Sequence, residues 1–345
     1  MRRLFLKGMA AAAVAGMAFG AGQVAKAQDA ASFYKGKSIN WIVPYKPGGG
    51  YDEYSRLLAP YLEKYTGARV DIVNMPGSGG MKGANEIFQA PADGLTIGII
   101  NGSAMITNEL AEIEGATYKV ADYNFLGRIV ADQRVMVAAA NSGINTFEDL
   151  MSDGKTAVVG ATGLGGSTYV DAVITGDVFG IDQKVVHGFN SSSDIRTAML
   201  RGDVQAMWGS LGSARKGVEA GDHKIILHGE KKATGLLEGI PSVYDVAAKS
   251  ENADAKLKIL KSWDALSAVG RPVAAPPGVP EDRVAFLREA FEKAMNDPEL
   301  IAKAESSKRD LAYLSGQEMT EIAKAATDLD DKTRALFVAA IRGEL

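Results

Sequence analysis

One device recurs along this chain and constrains its fold more than any other feature. A short apolar strand runs into a loop of bare or hydroxyl-bearing residues, and a helix starts at once. The first copy is SINWIVPY (38–45), then PGGG (47–50), then YDEYSRLLAPYLEKYTG. That last segment places Leu57, Leu58, Tyr61, Leu62 and Tyr65 on one helical face, with Gly67 as the stop and Pro60 kinking it or marking its middle. ARVDIVNMP leads into GSGGMKGANEIFQA, and GLTIGIINGS is a third strand ending in Asn101-Gly102-Ser103. TAVVGATGLGGSTYVDAVITGDVFG and KVVHGFNSSSDIRTAMLRGDVQAMWGS repeat the device later, and HKIILHG is one more strand. Strands alternating with helices argue for an α/β fold with a mainly parallel sheet and flanking helices. The device appears in both halves without any repeat of sequence, so the expectation is two similar lobes.

Four junctions carry the functional signal: Pro47–Tyr51, Gly77–Met81, Gly163–Thr168 and Phe189–Asp194. Each opens a helix. A helix N-terminus presents free backbone N–H groups and about half a positive charge. Glycine lets an anion approach those groups, and Ser or Thr adds a donor. In open α/β sheets, ligands bind beyond the carboxyl ends of strands. Two lobes facing each other through such ends make a cleft with several anion-holding corners, and none of these loops relies on Arg or Lys. A single glycine loop before a helix is no more than a tight connection; two in each half point to a site.

The segment NFLGRIVADQRVMVAAANSG (124–143) departs from the pattern, being long and apolar with charges in its middle. It reads as two strands or one bent one. NTFEDLMSDG after it is a short helix that Asn145 or Thr146 can cap. The outward crossing between lobes is expected near Arg134–Val137 and the return near Ala265–Ala274. Lobe 1 is then 28–135 with 271–345, lobe 2 is 136–270, and the C-terminal helices pack back on the first lobe. Two crossover segments form the hinge.

The chain opens with MRRLFLKGMAAAAVAGMAFGAGQVAKA, a basic start, an apolar run and an Ala25-Lys26-Ala27 cleavage signature. Residues 1–27 are therefore expected to be a cleaved signal peptide. The run Gly8–Gly22 is short and Gly/Ala-rich for a membrane span. RRLFLK also resembles a twin-arginine signal, so Sec and twin-arginine export both stand. Residues 1–27 hold four basic residues and no acidic one, so 38 Lys and Arg fall to 34 against 42 Asp and Glu, a mature net charge of −8. A chain this acidic is a poor nucleic-acid binder. With 0 Cys, disulfides, thiol catalysis and thiolate metal sites are excluded.

Enzyme motifs are missing from the sequence. PGGGYDEYS lacks the Gly-Lys-Ser/Thr of a P-loop, GATGLGG lacks the dinucleotide spacing, and WGSLG has Trp208 where a nucleophile elbow needs glycine. His187, His223 and His228 fall in no ligand spacing. DLDDK (328–332) lacks a calcium-loop pattern and reads as a solvated helix face. No cofactor and no metal are expected.

The mature chain resembles the Bug/TctC family, the periplasmic solute-binding proteins of tripartite tricarboxylate transporters. The resemblance rests on IVPYKPGGGYDEYSRLL, VDIVNMPGSGGMKGANEI, APADGLTIGIINGS, FLGRIVADQRVMVAA, TFEDL, GLGGSTYVDAV, MLRGDVQAMW and PPGVPEDRV, in the family's order and spacing. It implies a two-lobed periplasmic binding protein, type II-like, that closes on a small carboxylate, a di- or tricarboxylate or an aromatic acid, and delivers it to membrane components of the transporter. It implies a monomer in the periplasm that is not an enzyme. Matched residue by residue, the first lobe's contacts fall on Tyr45, Gly48, Gly49, Gly50 and Asp52, on Ser78, Gly79 and Gly80, and on Asn101 and Ser103. The second lobe's fall on Thr162, Gly165, Ser167 and Thr168, with Phe189, Asn190, Ser191 and Trp208 nearby.

The chain also departs from the family pattern. Tyr51 stands where a small residue usually precedes the aspartate, Tyr169 and Val170 stand where many members have His, and HGFNSSS replaces a Pro-Tyr-Lys-Gly loop. Tyr45, Tyr51, Phe189 and Trp208 can form an aromatic wall for an apolar or ring-bearing acid, Phe189 and Trp208 being equally suited to the core. Asp52, which would repel a carboxylate, reads as a loop organiser that caps the first helix. Two other readings accompany the resemblance: an exported enzyme using the same cleft, and a sensor subunit that hands its ligand to a membrane signalling protein.

Overall fold

The computed structural model describes residues 30–152, 154, 156–326, 329–342 and 344. The expected signal peptide lies outside these residues. The described residues form two sheets. The first contains β1 (Ser38–Val43), β2 (Arg69–Asn74), β3 (Thr96–Ile99), β4 (Asn124–Arg128), β10 (Pro272–Ala275) and β11 (Leu314–Ser315), in the order β11-β4-β10-β3-β1-β2. The second contains β5 (Arg134–Ala139), β6 (Ala157–Gly160), β7 (Gln183–Val186), β8 (Ala206–Ser210) and β9 (His223–His228), in the order β7-β6-β8-β5-β9. The strands that feed the glycine and serine loops pair in parallel: β1 with β2 and β3, and β6 with β7 and β8. The strands that follow a crossing between lobes, β5 and β10, pair antiparallel with both neighbours. Each sheet is therefore mixed and flanked by helices.

Residues 124–139 form two strands, one in each sheet. The outward crossing lies at 129–133, a few residues before its expected place: Arg134 and Val135 already pair with Ser210 and Gly209 in the second sheet. The return passes through the helices Val243–Ala248 and Ala253–Val269 to Gly270 and Arg271, directly before β10.

Helices Glu281–Met295 and Pro298–Ser306 pack against the helix Gly50–Thr66, as an apolar face on that helix requires. The last helix, Asp331–Arg342, was expected on the first lobe; it packs against both, touching Gly102–Leu110 and Ser167–Phe179. Trp41, Leu62 and Phe291 centre one core and Val137, Ile195 and Met199 another. A third buried cluster runs from Ile42 and Met105 in the first lobe to Val170 and Trp208 in the second. The lobes are thus in apolar as well as polar contact. Among the described residues no helix is long and apolar enough to cross a membrane.

Candidate functional site

The loops beyond the strand ends face each other across a narrow cleft. From the first lobe it is lined by Tyr45, Gly49, Gly50, Tyr51 and Asn101, and from the second by Thr162, Ser167, Thr168, Ser191 and Ser192. Five helices, Gly50–Thr66, Gly102–Leu110, Ser167–Phe179, Ser192–Arg201 and Leu211–Glu219, place a cap or first-turn residue in this lining. Their dipoles converge on one space. The caps are locally built: Asn101 Oδ1 accepts the Ala104 N–H at 3.3 Å, and Ser191 Oγ accepts the Asp194 N–H at 3.2 Å. Thr168 Oγ1 accepts the Thr162 N–H at 2.9 Å, which fixes the second lobe's loop against its own helix.

The lobes are bridged at the cleft. Asn101 Nδ2 donates to Ser167 Oγ at 3.0 Å and to Tyr45 Oη at 2.8 Å, and Tyr45 donates onward to the Gly79 carbonyl at 2.7 Å. Burial pushes the Tyr45 hydroxyl up to about 12, so it stays a donor at neutral pH. A Cβ on Gly50 would collide with Ser213 Oγ of the second lobe and with Arg271 Nη1. The bare loop therefore serves close approach of the opposite lobe and of a buried cation.

The floor of the cleft is charged, which the loop-based reading did not anticipate. Asp132, Arg134, Gly209, Ser210, Ser213 and Arg271 also line it. Arg134 and Asp171 form a buried ion pair through Nε at 2.7 Å and through Nη2. Trp263 Nε1 donates to the other Asp171 oxygen at 2.8 Å. Burial pushes the Asp171 carboxyl up, and Arg134 and the Trp263 N–H oppose it. Asp132 accepts from Arg271 Nε at 2.8 Å and lies 3.8 Å from Arg134 Nη1. Both arginines sit at the crossings, where the sequence interrupts apolar runs with charge. A charge entering a buried strand must be paired or used, and that was the available signal.

The remaining sequence-selected residues divide. Ser78, Gly79, Gly80, Phe189 and Asn190 line an adjacent groove with Tyr45, not the cleft itself. Ser103 lines a small neighbouring cavity with Ser167 and Trp263, and its Oγ donates to Asn101 at 3.2 Å. Gly48 is exposed with φ +82°, and Gly165 packs on the Asn108 side chain.

Asp52 lies inside the helix at its third position, while Gly49 is the cap. Its carboxylate accepts the Gly48 N–H at 3.0 Å, Asn74 Nδ2 at 2.9 Å and Arg56 Nε at 2.9 Å. Burial works to raise its pKa, but Arg56, the Gly48 N–H and Asn74 outweigh that and hold it below the usual carboxylate value. It organises the loop without capping the helix.

Trp208 is 0% exposed and packs edge-to-face on Trp263 with ring centres 5.6 Å apart; it belongs to the core. The aromatic wall therefore reduces to Tyr45 and Tyr51, whose rings are 4.8 Å apart. Phe189 stands in the groove beside it.

Comparison with known proteins agrees with this architecture. The structure superposes on the periplasmic binding protein BugD with a TM-score of 0.75 at 17% identity, covering 89% of this chain and 98% of that one. It superposes on MatC from Rhodopseudomonas palustris, determined with bound malate, at a TM-score of 0.69 and 18% identity over 87% and 99% of the two chains. In sequence, a UPF0065 protein of a Pseudomonas species is 26% identical over 277 residues, 78% of this chain and 76% of that one. BugT of Bordetella pertussis is 34% identical over 92 residues, 27% of this chain and 28% of that one. The model of the tripartite tricarboxylate transporter family receptor, TctC, matches residues 55–336, and the chain belongs to that family.

Proposed function

We propose that this protein is a periplasmic receptor that captures a small carboxylate between its lobes and delivers it to the membrane components of a tripartite tricarboxylate transporter. One observation carries the reading: five helix N-termini and two arginines line one interlobe cleft. Such a lining favours an anion of small size even in a chain whose net charge is negative, because the field is local. The bridge from Asn101 to Ser167 joins the lobes, so contacts that exist only in the closed form favour closure on the ligand. No step of this cycle alters the ligand, and turnover of a bound acid would point instead to an enzyme. Relatives of the fold determined with malate and with adipate support the ligand class.

The test is a thermal-shift screen of residues 28–345 against mono-, di- and tricarboxylates, with amino acids and sugars as the comparison set. At a hundred times its Kd a ligand adds about 2.7 kcal/mol, which moves the midpoint by several degrees in a domain of this size. A shift confined to carboxylates is expected. Shifts confined to sugars or amines, or silence from every acid with folded protein, overturn the reading.

A further inference from the structure

Among the described residues, two buried donors in the cleft have no partner. Arg271 is 2% exposed. Its Nε donates to Asp132 at 2.8 Å and its Nη2 donates to Ser210 Oγ at 2.8 Å, while Nη1 is buried and unpaired. The Tyr51 hydroxyl is likewise buried and unpaired. Both residues line the cleft. The guanidinium lies 4.5 Å from the Tyr51 ring centre and 4.9 Å from that of Tyr54. Stacking of this kind accommodates the charge but satisfies no N–H. An unmet buried donor costs about 1–3 kcal/mol, and more when charged. Around this pair the other polar groups are satisfied: Ser210 donates to Ser213 at 2.9 Å, and Asp132 and Asp171 hold their arginines. Two unpaired donors in one cavity therefore define what is missing, an acceptor with more than one lone pair.

The surroundings say what kind of acceptor. Burial holds the Tyr51 hydroxyl well above its ordinary value, so at neutral pH it can donate and carries no charge. Arginine has no acceptor and stays protonated. Of the ionised side chains lining the cleft, Arg134 and Arg271 outnumber Asp132, while Asp171 does not line it. Asp132, Ser210 and the two tyrosine rings hold the guanidinium in place, so little rotamer entropy is lost on binding. One fixed guanidinium nitrogen beside a phenol O–H supplies a donor for each of the two oxygens of a carboxylate.

Resting on the carboxylate-receptor reading, we infer that Arg271 Nη1 and Tyr51 Oη hold a second oxyanion of the ligand at the hinge end of the cleft. The first oxyanion is held by the helix N-termini. The chain thus selects small diacids over monoacids of the same length, and Tyr51, which departs from the small residue usual at its position, is a determinant of that choice.

Isothermal titration calorimetry on residues 28–345 tests this with length-matched acids: butyrate and succinate, pentanoate and glutarate, hexanoate and adipate. At least one diacid is expected to bind ten times more tightly than its partner, or better. Tyr51→Phe removes only the hydroxyl, and it is expected to compress that preference by about 10–100-fold, the range for a hydrogen bond to a charged group. Arg271→Lys, which cannot reproduce the fixed planar fork, is expected to compress it at least as far. Should Arg271→Lys fail to fold, judged by circular dichroism, Tyr51→Phe still decides. A Tyr51→Phe protein with the wild-type preference overturns the inference, as does a wild type in which every monoacid equals its diacid. Either result leaves the carboxylate-receptor reading standing. If no acid of either kind binds the folded wild-type chain, that reading falls, and the inference falls with it.

Discussion

Gly163→Ala should weaken binding of every ligand alike without touching the cleft. Gly163 lies in the second lobe's glycine loop and does not line the cleft. A Cβ there would sit 2.5 Å from Gly79 N, 3.0 Å from the Ser78 carbonyl carbon and 3.2 Å from Gly79 Cα. All three are backbone atoms of the opposite lobe, so no side chain can swing aside. Restoring ordinary contact at about 3.5 Å requires the loops to part by roughly 1 Å. Ser167, four residues on, would retreat with them, and its 3.0 Å bond from Asn101 would pass out of hydrogen-bond range.

Overpacking costs about 1–3 kcal/mol, and it is expected to fall on the form in which these loops touch, the closed one. Closure becomes harder by that amount, and the apparent Kd rises about 5–150-fold. Gly163 does not have a positive φ, so the alanine carries no left-handed backbone penalty and the open form keeps its stability. Gly79→Ala is the informative comparison. It meets Gly166 N at 2.9 Å and also sits at φ +64°, so it adds about 1 kcal/mol of strain in both forms. Gly67→Ala, at φ +70° with its nearest neighbour atom at 3.9 Å, carries the strain alone.

The assay is calorimetric affinity for whichever acid the screen selects, with small-angle scattering of loaded and unloaded protein. Gly163→Ala should lose affinity at an unchanged melting midpoint, Gly67→Ala should lose midpoint at unchanged affinity, and Gly79→Ala should lose both. A Gly163→Ala protein that binds as tightly as wild type, and compacts as much on loading, refutes the claim that this loop contact belongs to the loaded state.

Three further outcomes follow from the same structure. Asp171→Asn leaves Arg134 buried against weakened compensation and should destabilise the fold by about 3–5 kcal/mol, read by urea denaturation. Trp208→Ala should cost about 3–5 kcal/mol in the same assay as a large core truncation, whereas Trp208→Phe should keep ligand affinity, since Trp208 does not line the cleft. Asp297 is held down to about 2 by Lys64, with help from the Glu299 N–H and Tyr65. Its folded pKa lies below its unfolded one, so the stability it contributes is present above about pH 4 and is lost as pH falls toward 2. Asp297→Asn should flatten the dependence of the melting midpoint on pH across that window.

What the sequence made legible was what short-range chemistry determines. Apolar runs bounded by Gly, Pro and Ser gave the strands that end at the cleft, because those residues act on their own backbone. Asn101 and Ser191 cap their own helices, and Thr168 accepts the Thr162 N–H six positions back, so these residues serve groups within a few positions of themselves and were identifiable. The arginines were not, because their partners are distant: 37 positions separate Arg134 from Asp171, and 139 separate Arg271 from Asp132. No local pattern couples residues so far apart. Trp208 was ambiguous for a different reason. It lies in β8, every residue of which is buried, so both faces of the strand are covered and alternation carries no information. The strand's end, at Gly209 and Ser210, reaches the cleft, while its middle is core.

The buried charges also say how the two halves of binding divide. Asp132 lies on the outward crossing and Arg271 on the return, and the ion pair between them pins the crossings at one point. Lobes pinned there are expected to rotate about that point and to change its contacts little. The loop contact between Gly79 and Gly163 lies beside the exposed Leu164 and is expected to form only on closure. On the proposed reading, a ligand group beside Arg271 would be felt in both forms and would determine which acid enters. Contacts such as Asn101 to Ser167 are felt only in the closed form and determine how far the equilibrium moves. The two sets should separate experimentally. Variants at Arg271 and Tyr51 should change the ranking of acids, while Gly163→Ala and Ser167→Ala should scale all affinities by one factor and preserve the ranking. A Gly163→Ala protein that reorders the acids would show that selection and closure are one event, with no pivot to divide them.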